Sequence, residues 1–295
     1  IMALSGSVNF ELDVAEYIEE AFERCGLELR TGYDLKTARR SLNILLADWA
    51  NRGLNQWTIE QTSITLADGI GNYPGGTLTM TVGASGSFSV AETITGGTSG
   101  ATASITSKPS GTSFAITLPS GTFTNGETLT GGTSGAATTL SSAVDLTNVQ
   151  ATIDILSAVV TRDGTDFQIT RISRGDYLAI PNKTQSSRPS QFFLDRQITP
   201  ELKLWPVSDS SSDIVKFDRL VRMDDADGYT DTMEVPFRFY PCLTAGLAYY
   251  LAMKRNPAMI QILKTIYEEE MQRAIEEDRD RASSFISPTF DYHRV

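Results

Sequence analysis

The sequence predicts an α+β protein: a helical hairpin and long C-terminal helices packed with a small antiparallel β region, interrupted by an inserted all-β domain. Three observations carry this expectation. Apolar residues recur at helical spacing up to about Leu66 and again after about Glu234. Between about Ile70 and Asn148 the chain turns to Gly, Ser and Thr, with Glu92, Lys108, Glu127 and Asp145 nearly its only charges. That stretch also repeats itself, since GSFSVAETITGGTSGATASITS at 86–107 returns as GTFTNGETLTGGTSGAATTLSS at 121–142. Phe88 matches Phe123, Glu92 matches Glu127, and GGTSGA recurs unchanged. A flexible linker would not keep Phe, Glu and Ile/Leu at fixed offsets, whereas short strands around Gly-Gly turns would. The expected organisation is a discontinuous core over 1–69 and 149–282, an inserted β domain over 70–148, and an extended tail over 283–295.

Taken in order, the first helix spans about Val14 to Cys25. Asp13 with Glu16 three residues later forms a capping-box pattern, Ala15, Ile18, Phe22 and Cys25 share a face, and Gly26 supplies a left-handed stop. Thr31 or Asp34 opens a second helix with the apolar stripe Leu35, Ala38, Leu42, Leu45, Leu46 and Trp49, and Gly53 ends it. The short connection predicts an αα-hairpin. Strands are expected at Trp57–Leu66, Thr152–Thr161, Thr165–Ile172, Gln191–Arg196, Glu201–Val207 and Asp213–Arg222, with Asp163-Gly164 marking a hairpin. Pro236 or Pro241 begins a helix that is apolar on most sides from Cys242 to Lys254, and Asn256-Pro257 breaks it. A final helix directs Ile260, Leu263, Ile266, Tyr267, Met271, Ala274 and Ile275 inward and a run of acids outward, with Glu269/Arg273 and Glu277/Arg281 as i, i+4 pairs. The tail SSFISPTFDYHRV has no helical period, yet it carries Phe285, Ile286, Phe290 and Tyr292.

Composition excludes several functions. With 25 basic and 36 acidic side chains in 295 residues the net charge is 25 − 36 = −11, the wrong sign for a nucleic-acid reader. No apolar run reaches the ~18–20 residues of a membrane span; the longest, Cys242 to Met253, is short and broken by Thr244 and Gly246. Acidic residues begin at Glu11 with no apolar stretch before them, so no signal-peptide pattern is expected. Cys25 and Cys242 lack metal spacing and are expected as reduced core residues of a protein made in a cytoplasm.

Catalytic patterns are sparse, and neither an enzyme, a metal site nor a cofactor is expected. The only histidine, His293, lies next to the last residues, which argues against His-based triads and most zinc sites. The repeated GGTSGA lacks the lysine of a phosphate loop. Asp225, Asp227, Gly228 and Glu234 imitate part of a calcium loop, but Met223 occupies its first position, so an ordinary acidic turn is the better reading. Adjacent acids such as Glu19/Glu20 and Glu268–Glu270 read as solvated helix faces, although two carboxylates meeting across a cleft would suit glycoside hydrolysis.

Several blocks carry a resemblance. TGYDLKTARRSLNILLADWANRGLNQWTIEQ (Thr31–Gln61), IPNKTQSSRPSQFFLDRQ (Ile180–Gln197), LWPV (Leu204–Val207), VPFRFYPCLTAGLAYYLAMKRNP (Val235–Pro257) and YEEEMQRAIEEDRDR (Tyr267–Arg281) resemble head-to-tail adaptor, or connector, proteins of short-tailed bacteriophages. The likeness covers nearly all of the chain outside about 70–148; shorter members lack that insert, so its role is not inherited. The resemblance implies a virion protein at the portal vertex: a homo-oligomeric ring of about a dozen copies beneath the portal protein, with flat helical faces packed side by side. Such a ring extends the DNA channel and presents a platform for tail nozzle or fibre proteins. On this reading Leu35, Leu42, Leu45, Trp49, Ile260, Leu263, Tyr267 and Met271 are expected on subunit-packing helices. Glu276, Glu277 and Asp278 are candidates to face the channel and repel phosphate. Phe285, Ile286, Pro288, Phe290 and Tyr292 are candidates to dock on the portal. DNA would pass without sequence-specific binding. The alternatives are a tail component that degrades cell wall, and a receptor-binding module carried by the insert.

Overall fold

The computed structural model describes residues 10–52, 56–142 and 144–278. The expected stop at Gly53, the Glu277/Arg281 pair, His293 and the whole tail of 283–295 lie outside the described residues. Helices and antiparallel sheets are mixed, as the α+β expectation requires. The helices are α1 (Val14–Arg24), α2 (Gly32–Arg52), α3 (Thr147–Gln150), α4 (Arg174–Ala179), α5 (Tyr240–Arg255) and α6 (Ile260–Glu277). The chain divides into two compact units: residues to Trp57 together with those from Asp224, and Thr58–Met223. The expected discontinuous core therefore falls across both. The strands that flank the insert pair with one another and group with the inserted repeats, leaving α1, α2, α5 and α6 as a unit of their own.

In the helical unit, Asp13 caps α1 in a full capping box: its carboxylate accepts from the Glu16 amide at 2.8 Å, while the Glu16 carboxylate accepts from the Asp13 amide at 3.0 Å. Thr31 caps α2, its hydroxyl oxygen accepting from the Asp34 amide at 3.3 Å and its own amide donating to the Asp34 carboxylate at 3.1 Å. Helix α5 is buried almost all round, and α1, α2 and α6 each pack on it. The loop leading to α5 ties the N-terminal helices together. Val14 and Ala15 amides donate to the Asp231 and Tyr229 carbonyls, both at 3.0 Å, and Asn43 Oδ1 accepts from the Ala226 amide at 2.9 Å.

The second unit contains two sheets and a barrel. Strands β1 (Ile59–Thr65), β2 (Asn72–Pro74), β3 (Thr79–Thr81), β4 (Thr93–Gly96), β5 (Thr102–Ser110), β6 (Ser113–Ile116), β7 (Thr128–Gly131), β8 (Ala137–Thr139), β9 (Thr152–Arg162), β10 (Thr165–Gln168), β11 (Thr170–Arg171), β12 (Gln191–Asp195), β13 (Glu201–Trp205) and β14 (Ile214–Val221) follow in order. One sheet runs β1-β14-β9-β10, all antiparallel, and the other β11-β12-β13-β2, in which only β11 and β12 are parallel. Their inner faces share one core, with Ile155, Val160 and Phe217 from the first against Phe192, Leu202 and Leu204 from the second. The β9–β10 hairpin turns at Asp163 and Gly164, both at positive φ (51° and 77°), the conformation that an Asp-Gly pair favours. Expected strand Thr165–Ile172 is instead two short pieces that belong to different sheets.

The repeats form a third sheet, β3-β6-β5-β4-β7-β8. Its ends meet: Val82 bridges Leu140, the Gly83 amide donates to the Thr139 carbonyl at 2.9 Å, and the Ser141 amide donates to the Thr81 carbonyl at 2.8 Å. The sheet is thus closed around its own core, which includes Met80, Phe88, Ile94, Ile105, Phe114 and Leu129. At the repeat junction β4 pairs with β7 through Ile94↔Gly131, Thr95↔Thr130 and Gly96↔Leu129, a register that maps onto itself when the repeats are exchanged. A pseudo-two-fold axis therefore passes between Thr95 and Thr130.

Each repeat sends its glutamate into the other's GGTSG turn. Glu127 accepts from the Thr98 and Ser99 amides at 3.0 and 2.9 Å, and from its own repeat's Thr124 amide at 2.6 Å. Glu92 accepts from the Thr133 and Ser134 amides at 3.2 and 2.9 Å, and from the Ser89 amide at 2.5 Å. The Ser99 and Ser134 hydroxyls add a donor each. Both carboxylates are buried, and a Cβ at Gly96 or Gly131 would lie 2.5 or 2.6 Å from the incoming Oε2, so the first glycine of each turn makes room for the other repeat's acid. Burial alone would raise these carboxyl pKa values; the amides of Ser134, Ser89 and Thr133 around Glu92, and of Ser99, Thr124 and Thr98 around Glu127, together with the serine hydroxyls, outweigh it and hold both below the ordinary glutamate value.

Two expectations follow for the barrel. Because the folded pKa values are depressed, the stabilisation is present above the unfolded glutamate pKa and is lost as pH falls through the folded ones. Thermal melts followed by circular dichroism between pH 6 and about 3 should lose stability toward acid, and a Glu92→Gln/Glu127→Gln variant should start lower and change less. Ala91 lies at φ 67°, where the second repeat has Gly126 at φ 81°. A non-glycine residue there costs ~1–2 kcal/mol, so Ala91→Gly should raise stability and Gly126→Ala lower it, by about 0.5–1 kcal/mol each in denaturant titrations.

Candidate functional site

The groups that carry chemistry elsewhere have structural duties here. Cys25 donates its thiol to the Ala248 carbonyl at 3.0 Å, and Cys242 is buried beside Met271. Burial pushes the two thiols up to about 11 and about 12, which keeps them protonated and poorly nucleophilic. Among the described residues no group of three or more His, Cys, Asp or Glu side chains is arranged to hold a metal ion. The acidic turn of Asp225, Asp227, Gly228 and Glu234 serves as the tether between helices: the Gly228 amide donates to Asp231, and the Asp227 carbonyl accepts from Arg39. The GGTSGA loops do bind an anion through successive amides, but that anion is the partner repeat's glutamate.

The apolar stripes of α2 and α6 meet each other and α5 within the one chain. Leu42, Leu45, Trp49, Leu263, Tyr267 and Met271 are all at most 5% exposed, and Trp49 Nε1 donates to the Tyr267 hydroxyl at 2.9 Å. Arg52 closes the rim by pairing with Asp48 at 2.7 Å and Glu268 at 3.0 Å, and it stacks on the Tyr267 ring. These residues complete the chain's own core, so they are not the subunit-packing surface expected of them; Leu35 and Ile260 are half-buried at its margin. Helix periodicity identifies a face that must be covered but not whether the cover comes from the same chain. Gly246 of α5 lets the three helices approach closely, since a Cβ there would lie 2.8 Å from Tyr267 Cε2 and 2.9 Å from Leu45 Cδ2.

Other expectations for α6 also change. Ile266 and Ile275 point outward, 40% and 38% exposed, together with Ile262 at 55%. Arg273 pairs with Glu270 at 2.7 Å rather than with Glu269. Of the three candidate channel acids, Glu276 and Glu277 are exposed, but Asp278 is buried and accepts from Arg238 Nε at 3.0 Å. It closes α6 onto the approach to α5 and offers no charge to a passage. The portal-docking candidates Phe285, Ile286, Pro288, Phe290 and Tyr292 lie outside the described residues.

Two exposed faces of the helical unit differ in charge. Along α1, Glu16, Glu19, Glu20 and Glu23 border a groove of about 440 Å³ that also includes Phe10, Tyr240 and Pro241. Along α2, Lys36, Arg39 and Arg40 surround Ile44 and Ala47. Lys254 of α5 extends this basic face, donating to Ser41 Oγ at 2.6 Å. Partial burial, then the neighbouring charges of Arg40 and Arg255, hold its pKa below the ordinary lysine value. The sequence offered a signal for both faces: Glu recurs at i, i+3, i+4 and i+7 in α1, and cations occupy i, i+3 and i+4 in α2.

The chain matches no protein-family model, and no curated protein matches it. Among the described residues no helix is long and apolar enough to cross a membrane.

Gly246→Val places two methyl groups where no space exists, and the resulting overpacking should lower stability by about 1–3 kcal/mol, read as a shifted denaturation midpoint with Trp49 fluorescence as reporter.

Proposed function

We propose that this protein is a structural component of a short-tailed bacteriophage, a head-to-tail adaptor whose copies form a ring below the portal, extend the DNA channel and carry the tail nozzle or fibres. The observation that supports the reading most is where the family-like blocks lie. Thr31–Gln61, Val235–Pro257 and Tyr267–Arg281 are far apart in sequence, yet they supply α2, α5 and α6, which pack on one another through Gly246, Leu45 and Tyr267. The likeness thus takes in α2, α5 and α6 of the helical unit, with α1 outside it. The remaining blocks, Ile180–Gln197 and Leu204–Val207, supply β12 and the end of β13 in the sandwich.

The acidic balance of −11 suits a conduit, because a surface that repels phosphate lets a duplex slide without sticking. Glu276 and Glu277 are the exposed acids proposed to face that passage. The tail after Ser283 is proposed to dock on the portal. Four large apolar side chains give ~1.5–3 kcal/mol each on burial, against ~1–2 kcal/mol per ordered residue, so one tail binds weakly and a ring of tails binds firmly.

Electron cryomicroscopy of the purified protein mixed with its portal should reveal a ring of copies at the portal's tail-side end. Deleting the residues after Ser283 should leave the circular dichroism melt unchanged and abolish co-sedimentation with the portal. Wild-type binding by the truncated chain, or a single copy per particle, would sink the proposal.

A further inference from the structure

Two surfaces of the helical unit are opposite in charge and alike in having an exposed apolar side chain among the charges. In the α1 groove Phe10 is 72% exposed beside Glu16, Glu19, Glu20 and Glu23. On the α2 face Ile44 is 50% exposed beside Lys36, Arg39 and Arg40. Part of each set is neutralised at home: Glu20 pairs with Arg24 at 2.8 Å, Glu16 serves the α1 cap, and Arg39 reaches the Asp227 carbonyl and covers the Tyr229 ring. Glu19 and Glu23 on one surface, and Lys36, Arg40 and Lys254 on the other, have no ion-pair partner among the described residues.

We propose that copies of this chain associate head to tail through these two surfaces, the α2 face of one docking on the α1 groove of the next, with Ile44 against Phe10 and the cations against the carboxylates. This rests on the ring reading above and specifies which faces make the ring. The two surfaces share no residue, so the contact is heterologous, the kind that generates closed rings when the rotation between neighbours closes. A nucleic acid on the α2 face would gain nothing from an exposed isoleucine, whereas a protein groove holding a phenylalanine would. Lys254 lies beside this face, where its ammonium donates to Ser41 Oγ at 2.6 Å. Interfacial charges of this kind chiefly steer and select, while the apolar centre supplies affinity.

The test uses the purified full-length chain in sedimentation velocity, with circular dichroism to verify that every variant is folded. The parent should form species larger than two copies at low salt, and association should weaken by about tenfold or more on going to ~0.5 M salt, where charges are screened beyond a few ångströms. Lys36→Glu/Arg40→Glu and Glu19→Lys/Glu23→Lys should each stay monomeric. An equimolar mixture of the two should associate again, because each reversed face then meets its complement on the other variant. If both variants associate like the parent, the assignment of faces is wrong and the ring reading stands. Growth that stops at two copies, a parent that stays monomeric at ~100 µM, or a mixture that remains monomeric also overturns it, and the portal complex then judges the ring separately. If Lys36→Glu/Arg40→Glu lowers retention on DNA but not self-association, the α2 face belongs to nucleic acid and the proposal fails.

Discussion

A single desolvated cation organises the β half of this protein. Arg219, on β14, is 1% exposed, and its guanidinium donates to the Asn148 carbonyl and Oδ1 at 2.8 and 3.1 Å, to Thr152 Oγ1 at 3.0 Å and to Glu60 at 2.7 Å. Stripping water from such a group costs several kcal/mol, so it is tolerable only where acceptors are already in place. The acceptors come from β1, from α3 and from the start of β9, which makes the sandwich and the exit from the barrel interdependent. The barrel's entry joins the same knot. Asn148 Oδ1 also accepts from the Thr77 amide at 3.0 Å, and a side chain at Gly76 would meet Arg219 Nη1 at 2.3 Å. A glycine is required because the cation passes where a Cβ would be.

The barrel solves a different problem, that of holding together a Gly- and Ser-rich sequence with few large apolar residues. Its answer is to exchange buried carboxylates between repeats, each cradled by amides that a plain strand pair would leave to solvent. Neither repeat satisfies its own GGTSG turn, so neither is complete alone, and the duplicated sequence is a structural necessity rather than an ornament.

Much of this was legible beforehand, and the reasons differ by element. The α1 capping box, the Asp163-Gly164 turn and the break at Asn256-Pro257 are local devices, readable because a few neighbouring residues determine them. The presence of a β module in the Gly-rich stretch was legible from its repeat. The reciprocity of Glu92 and Glu127 was not, although two acids at matching repeat positions in a stretch with few charges were the available hint. Arg219 gave no signal at all, because its partners lie 67 to 159 positions away. The α2 and α6 stripes are legible as apolar faces, but periodicity reports that a face is covered without naming the cover, and here the cover is the same chain. Sequence places Asp278 among acidic neighbours, but at the end of α6 its carboxylate turns inward to Arg238.

The closure of the repeat sheet bears on how this chain survives crowding. A sheet with two free rims presents unpaired amides and carbonyls to every similar sheet nearby, and many copies held at high local density would invite strand-to-strand fusion. Here Val82 and Leu140 join the rims, and Thr77 and Asn148 hold the way in and the way out within one hydrogen bond of each other. The result is a closed barrel whose entry and exit lie side by side where it joins the sandwich. Any exchange of the barrel would have to keep Gly76 and Asn148 at that junction, or the buried Arg219 would lose its room and two of its acceptors.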